Sequence, residues 1–208
     1  MNKLEQIGII PVDYAVLRSL YSDYGFPRNK IANLEQEGKI IRLKRGMYVV
    51  SPDVNKQLLA IELIANHIYG PSYVSMESAL RYYGLIPEQV YTVRSMTVNR
   101  SKKFENPIGY FEYIIVDEKY YPIGITQQTV ENKYTFLIAS PEKALCDMIS
   151  ATPRLRIQSE KALKTYLEDD LRFEMSSLKE MNPDIFRECI ETGKKKEVLK
   201  LVLKLVHP

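Results

Sequence analysis

The spacing of the glycines is the strongest constraint on what this chain can fold into. The nine glycines stand at positions 8, 25, 38, 46, 70, 84, 109, 124 and 193, and no two are closer than eight residues. The dinucleotide fingerprint, the P-loop and the nucleophile elbow all need glycines much closer together than that. The chain therefore cannot form a glycine-fingerprint Rossmann site, a P-loop ATPase or an α/β-hydrolase elbow.

The histidine and cysteine counts are equally restrictive. Two histidines and two cysteines are scattered along 208 residues, so we expect no zinc site with paired Cys and His ligands and no disulfide framework. No metal or cofactor is expected. The stretches without charged residues are too short to span a bilayer, and the N-terminal segment carries Glu5 and lacks the apolar core of a signal peptide. These features predict a cytoplasmic protein.

The positive charge of the chain is concentrated in one short segment. Residues 28–46 contain six bases and two acids, a net charge of +4, while the whole chain has a net charge of +3. A basic segment on an otherwise neutral protein indicates a surface that binds a polyanion such as nucleic acid. The alternative is an ordinary solvated surface, since runs of charge are common there.

The basic segment coincides with a helix–turn–helix pattern. Asp13 is a suitable N-cap for a first helix whose apolar residues stop before Gly25. A second helix follows, buries Ile31 and Leu34, and ends at Gly38. The residues that this second helix offers to bases and phosphates are Arg28, Asn29, Lys30 and Asn33.

A basic hairpin comes next in the sequence. Ile41 and Leu43 alternate with Arg42 and Lys44, and a turn at Arg45 separates them from a second β-rich run. Helix–turn–helix followed by such a hairpin is typical of a winged helix, and the wing residues Arg42, Lys44 and Arg45 would reach phosphate or the minor groove. The alternative is that this small unit packs on the rest of the chain and touches no nucleic acid.

The remainder of the chain predicts an α+β fold. Helices are expected over residues 55–69, 76–83 and 140–150, and strands over residues 90–98, 110–116, 122–126 and 134–138. Because the strands come in one run, we expect a central α/β domain with a mostly antiparallel sheet and helices on one face. The C-terminal segment is predicted to be helical, and its last helix is amphipathic with a basic face. This helix would pack on the central domain, contact a second copy or supply a second phosphate-binding surface. The predicted domains are residues 1–52, 53–152 and 153–208.

Three strings of residues carry a resemblance to a known family. They are RGMY at positions 45–48, GPSYVSMESALRYYGLIPE at positions 70–88 and SPEKALCDMI at positions 140–149. Together they resemble the AbiEi family, the antitoxin halves of type IV toxin–antitoxin, or abortive-infection, systems. The resemblance covers roughly residues 25–151 and keeps the three strings in the family's order.

The resemblance implies a non-enzymatic protein whose winged helix binds operator repeats and represses its own operon. It implies DNA contact by the same helix and hairpin residues, and a partner gene that encodes a nucleotidyltransferase-like toxin. It does not imply a stable complex with that toxin, because the family's antitoxins are ascribed to opposing the toxin's effect. One departure is that two predicted helices precede the hairpin, where a winged helix usually has three.

Three further features leave other functions open. Asp117, Glu118 and Lys119 follow a strand and would suit either a metal-dependent nuclease or a polar turn. Ten of the 15 tyrosines lie between positions 69 and 134, where they would form the partner surface of an interaction module or serve as ordinary strand residues. Four charged residues of the longer strings suit a structural role in helices or contact with a ligand or partner; they are Glu77, Glu142, Lys143 and Asp147.

Overall fold

A computed structural model of the protein describes residues 3–88 and 91–207. In this part of the chain, helices and two β-sheets form a mixed α/β structure. The helices are α1 (Tyr14–Leu20), α2 (Pro27–Gln36), α3 (Pro52–Asn55), α4 (Ile61–Ile68), α5 (Met76–Tyr82), α6 (Pro141–Ala151), α7 (Glu160–Thr165), α8 (Pro183–Thr192) and α9 (Lys196–Val206). The strands are β1 (Val12–Asp13), β2 (Ile40–Lys44), β3 (Met47–Val50), β4 (Ser72–Val74), β5 (Thr92–Thr97), β6 (Lys102–Asn106), β7 (Gly109–Ile115), β8 (Ile125–Val130) and β9 (Tyr134–Ala139). None of the helices described is long and apolar enough to cross a membrane.

The N-terminal segment folds around a small core of its own. A short 3₁₀ turn, Lys3–Gln6, precedes β1, and α1 and α2 then lead into the β2–β3 hairpin. The three strands form an antiparallel sheet in the order β1–β3–β2. Helix α2 begins with proline and, as predicted, buries Ile31 and Leu34, which meet Leu17 of α1 in this core.

Strand β3 is buried on both faces and belongs to two cores at once. Successive side chains of a strand point to opposite faces. Tyr48 and Val50 accordingly pack with the N-terminal helices, whereas Met47 and Val49 pack into the large core of the rest of the protein. The hairpin is therefore a wall shared by the N-terminal helices and the central sheet.

A bulge at the end of β2 changes the direction of one predicted wing residue. Arg42 pairs with Tyr48, but Lys44 pairs with Met47, so the register shifts between them. A bulge breaks the alternation of side chains along a strand. Arg42 consequently lies on the same face as α2, while the Lys44 ammonium donates to the carbonyl of Ile68 at the end of α4, at 2.6 Å.

The larger sheet has six strands in the order β6–β7–β5–β4–β9–β8. Three of its neighbouring pairs are antiparallel, and the pairs β5–β7 and β4–β9 are parallel. The sheet is thus mixed, and the prediction of a mostly antiparallel sheet missed the two parallel pairs. Strands β4 and β6 were not predicted, and the predicted start of a strand at Val90 lies outside the described residues.

The helix predicted for residues 55–69 is shorter than expected, because only α4 (Ile61–Ile68) forms within that range and α3 (Pro52–Asn55) ends where the predicted helix begins. Lys56 adopts a left-handed conformation with φ of 57° and ends α3. The Asn55 side chain then accepts the amide of Gln57 at 3.0 Å. Such a local side-chain hydrogen bond competes with continuation of a helix. The chain therefore runs irregularly to α4, and Leu58 in this stretch is 89% exposed.

The C-terminal helices complete the large core. Helix α6 is buried from Glu142 to Ile149 and is packed against α5 on one side and α8 on another. Leu163 of α7, Phe186 of α8 and Leu199 of α9 share its core with the central sheet. The central and C-terminal segments thus have one continuous hydrophobic core.

Replacement of Leu43 by alanine tests whether the hairpin packs on the central core. Leu43 is 2% exposed in the large core, so Leu43→Ala should lower the free energy of unfolding by about 2–5 kcal/mol. The matched control is Leu58→Ala, which removes the same atoms from an exposed site and should change stability by less than about 0.5 kcal/mol. Urea unfolding followed by circular dichroism measures both, and equal effects would contradict the shared wall.

Candidate nucleic-acid interface

Helix α2 presents a polar outer face opposite its buried residues. Ile31 and Leu34 are 2% and 3% exposed, and the 3.6-residue period of a helix places other residues on the opposite side. Three of the four predicted helix residues are exposed there, and we call Arg28, Asn29 and Asn33 the α2 outer face. Its side-chain types are those that form paired hydrogen bonds with guanine and adenine edges.

Ion pairs cancel part of the positive charge of the basic segment. Arg42 contacts Glu35 at 2.6 Å, and Lys39 contacts Glu37 at 2.7 Å. The hydrogen bond from Lys39 holds the pKa of Glu37 below its usual range. Both acids lie near the C-terminal end of α2, so the unbalanced positive charge is shifted toward the N-terminal end.

Arg28 and Arg45 keep their full charge available. Both are exposed, and neither guanidinium forms a hydrogen bond or ion pair with any residue in 3–88 or 91–207. Lys30 is half-buried, and its ammonium lies 5.5 Å from the centroid of the Tyr24 ring. A cation on an aromatic face keeps its charge, so Lys30 also contributes to the positive end of α2.

Lys44 contributes little to this surface because its ammonium is directed away from the face of α2, toward the end of α4. Its ammonium donates to the carbonyl of Ile68, and the Leu43 carbonyl beside it accepts from Asn106 at 3.1 Å. These two bonds hold the end of the hairpin against α4 and against β6 of the central sheet. The predicted wing thus has two exposed bases, Arg42 and Arg45, and Arg42 is paired with an acid.

Arg18 joins this surface although the sequence patterns did not single it out. It is an exposed residue of α1. With Ser22 and Pro27 it lines an open groove of about 490 Å³ between α1 and the start of α2. A base in the last turn of the preceding helix is the signal that would have identified it, because such a residue lies beside the N-terminal end of the next helix in a tight helix–turn–helix.

The residues of the possible nuclease site form a turn. The backbone amide of Lys119 donates to the Asp117 carboxylate at 2.9 Å, and the amides of Tyr120 and Tyr121 donate to the Asp117 carbonyl. Within the described ranges, no three His, Cys, Asp or Glu residues are grouped so that they could hold a metal ion. Asp117, Glu118 and Lys119 therefore have a structural explanation as a connection between strands.

Two charged residues of the string at positions 140–149 form an ion pair inside the large core, where they meet two hydroxyl groups of the string at positions 70–88. The Lys143 ammonium lies 3.5 Å from the Asp147 carboxylate, and both side chains are fully buried. Asp147 accepts hydrogen bonds from Ser75 at 2.7 Å and from Tyr73 at 3.1 Å. The string at positions 70–88 thus supplies the donors, and the string at positions 140–149 supplies the acceptor, of one buried network.

Aromatic rings and a close glycine enclose the lysine of this network. The Lys143 ammonium donates to the Tyr120 carbonyl at 2.9 Å and lies 3.0 Å from the centroid of the Tyr120 ring. Gly124 has φ of +59°, and a Cβ there would lie 2.8 Å from the Cβ of Lys143. Burial lowers the pKa of Lys143 and raises that of Asp147. Because both charged side chains are closed to solvent, we interpret the network as structural.

Glu142 and Glu77, the other two charged residues singled out from the strings, also have structural partners. The Glu142 carboxylate accepts the backbone amide of Asn182 at 2.9 Å, just before α8 begins. Glu77 pairs with Arg94, which also contacts Glu112 at 3.1 Å. These contacts tie α6 to α8 and α5 to the central sheet.

The tyrosines of the central region divide between core and surface. Tyr73, Tyr113 and Tyr120 are almost completely buried, and the Tyr113 hydroxyl donates to the carbonyl of Ala65 at 2.6 Å. Tyr91 and Tyr110, in contrast, are 78% and 54% exposed. The core explains the buried rings, and the exposed ones stay available to a partner.

Comparison with known proteins adds no relative to this picture. The chain matches no protein-family model. A search of curated proteins likewise returns no match.

The buried ion pair makes a testable contribution to stability. Lys143→Met should lower the free energy of unfolding by about 3–5 kcal/mol, because it leaves the Asp147 carboxylate buried without its cation. The matched control is Lys200→Met, which breaks an exposed pair with Glu197 at 2.7 Å and should change stability by less than about 0.5 kcal/mol. Urea unfolding compares the two.

A double variant separates the ion pair from loss of packing. If the pair is coupled, Lys143→Met combined with Asp147→Asn should cost less than the sum of the single changes. Additive costs, or a Lys143→Met variant as stable as Lys200→Met, would contradict the network.

Proposed function

We propose that this protein is a non-enzymatic repressor that binds double-stranded DNA in a sequence-specific manner. The observation that carries the proposal is the α2 outer face, where Arg28, which pairs with no acid in residues 3–88 or 91–207, stands beside two exposed asparagines. At the other end of the same helix, Glu35 and Glu37 offset the positive charges of Arg42 and Lys39. The result is a helix with a positive, amide-rich N-terminal end, which is the part of a recognition helix that meets base edges.

The order of elements before and after α2 supports a winged-helix interpretation. The 3₁₀ turn at Lys3–Gln6 supplies a third helical element ahead of the hairpin, where the sequence predicted two. The short strand β1 pairs with β3 and fastens this turn and α1 to the hairpin. The chain thus has three helical elements followed by two antiparallel strands in its first 50 residues.

The proposed contacts differ in part from those expected from the sequence alone. Base contacts are assigned to Arg28, Asn29 and Asn33, and phosphate contacts to Lys30 and Arg45 together with the newly recognised Arg18. Arg42 keeps a secondary role because its guanidinium is paired with Glu35. Lys44 is omitted because its ammonium is directed at the carbonyl of Ile68.

The proposed mechanism is occupancy of an operator. Bound to a repeat near its own promoter, the protein excludes RNA polymerase and represses its operon. The resemblance of the three strings to AbiEi antitoxins supports a physiological role as the antitoxin of a type IV system, with a nucleotidyltransferase-like toxin encoded next to it. No stable complex of the two proteins is proposed.

A gel-shift titration tests the DNA-binding proposal. The purified protein is titrated against the duplex upstream of its own reading frame and against a scrambled duplex of equal length, at two salt concentrations. Affinity should fall with salt with a slope of about −0.9 per phosphate contacted, while preference for the upstream duplex persists. Equal binding to both duplexes, or none, would overturn sequence-specific repression and favour an interaction module that uses the exposed tyrosines.

Point variants should separate base contacts from phosphate contacts. Arg28→Ala and Asn33→Ala should each reduce the preference for the operator by about 1–3 kcal/mol, because each removes a bidentate contact to a base. Arg45→Ala should weaken binding to both duplexes and reduce the salt slope by about one. Lys44→Ala, a loss of the same charge from the adjacent residue, is the control and should leave the slope unchanged. Unchanged preference in Arg28→Ala and Asn33→Ala would mean that α2 is not the recognition helix.

Co-expression tests the antitoxin role separately. If the neighbouring reading frame is a nucleotidyltransferase-like toxin, its induction should arrest growth, and this protein should restore growth without co-purifying with it. Growth arrest that this protein does not relieve would overturn the antitoxin role and leave the DNA-binding proposal standing.

A further inference from the structure

Phe26 is the most conspicuous apolar side chain on the candidate interface. It is 76% exposed and belongs to neither hydrophobic core. Its ring makes no aromatic or cation–π contact with another residue in the described parts of the chain. The neighbouring Tyr24 differs, because its ring contacts both Tyr21 and Lys30. Phe26 is thus a largely exposed aromatic ring that has no aromatic or cationic partner among the described residues.

The backbone holds this ring at the leading end of α2. Phe26 occupies the N-cap position, and its carbonyl accepts the amides of Asn29 and Lys30 at 3.1 and 3.2 Å. The following residue is Pro27, which disfavours the helical conformation for the residue before it, and Phe26 has φ of −133° and ψ of 75°. The backbone direction of Phe26 is therefore set before any partner binds, which lowers the entropy cost of using the ring in a contact.

The charge around the ring identifies the kind of partner. Within the first turn of α2 stand Arg28 and Lys30, and neither is paired with an acid in the described part of the chain. An apolar ring beside unpaired cations and exposed amides suits a polyanion that also offers apolar groups. Double-stranded DNA offers both, since its phosphates are anionic and each thymine carries a methyl group in the major groove.

We infer that Phe26 contacts a thymine methyl group in the major groove and thereby reads sequence alongside Arg28 and Asn29. This inference rests on the proposed function, because it places the N-terminal end of α2 in the groove. It adds a specificity determinant that forms no hydrogen bond, because it is the burial of a methyl group against the ring that distinguishes thymine from cytosine or uracil. Burial of one such group contributes about a fourfold difference in affinity.

The test uses thymine-to-uracil replacement, which removes the methyl group and leaves the base pairing intact. The wild-type protein first selects its preferred sequence from a random duplex library. The selected duplex is then prepared with thymine and with uracil throughout. Wild type should bind the uracil duplex about fourfold more weakly. Phe26→Ala should bind both duplexes equally, with weakened affinity for the thymine form.

A matched variant guards against indirect effects. Leu58→Ala also removes an exposed apolar side chain, in the loop before α4, and should discriminate thymine from uracil as wild type does. Any change in DNA shape caused by uracil would persist in Phe26→Ala, so loss of discrimination in that variant isolates the ring. Circular dichroism verifies that both variants fold.

The outcomes separate this inference from the proposed function. If the library yields no preferred sequence, sequence-specific binding fails and the inference fails with it. If a sequence is selected but wild type binds both duplexes equally, or Phe26→Ala discriminates as wild type does, then the thymine contact is overturned while the proposed function stands.

Discussion

The burial of β3 on both faces is the constraint on which the architecture of this protein depends. Two of its four side chains stabilise the N-terminal helices, and the other two are part of the core that runs to α9. Neither core is complete without this strand. The position of α2 relative to the central sheet is therefore set by packing across a single strand. Two hydrogen bonds also hold the neighbouring strand β2 in place, one from Lys44 to the Ile68 carbonyl and one from Asn106 to the Leu43 carbonyl.

Local pairing decides which charges of the basic segment are available to a partner. Glu35 and Glu37 each bind a base, and a backbone carbonyl binds a third. The three cations that remain, Arg28, Lys30 and Arg45, lie at the start of α2 and at the hairpin turn. A count of bases along the sequence does not distinguish these groups, since a charge and its partner are brought together by the fold. The positive surface formed by these three residues is consequently smaller than the basic segment at positions 28–46.

The sequence predicted α2 well because one face of that helix is buried and the other is solvated, which is the condition under which a 3.6-residue period is visible. It did not predict that the Lys44 side chain is turned toward the end of α4, because a bulge reverses the alternation of side chains along β2. It missed β4 and β6, since a three-residue strand and a strand rich in lysine are defined by their partners rather than by local preference. The sequence predicted a helix over residues 140–150, which is α6, but it did not predict that this helix is buried all round its middle. The burial of Lys143 depends on Tyr73 and Tyr120, which are distant in sequence.

The two longer strings that carry the family resemblance have a physical reason to occur together. One provides the hydroxyl groups of Tyr73 and Ser75, and the other provides the Lys143–Asp147 pair that needs them. An ion pair taken out of water must be surrounded by hydrogen-bonding groups to be tolerated. These residues of the two strings therefore belong to the core rather than to an exposed site.

The complete enclosure of Lys143 has a consequence for the chemistry of its amine. A lysine side chain with no exposed surface cannot react with an acylating reagent until the core around it opens. Surface lysines such as Lys200 and Lys204 are labelled at once, whereas the labelling of Lys143 proceeds only through the transiently opened protein. The rate at which Lys143 is modified therefore measures how often the core around it opens.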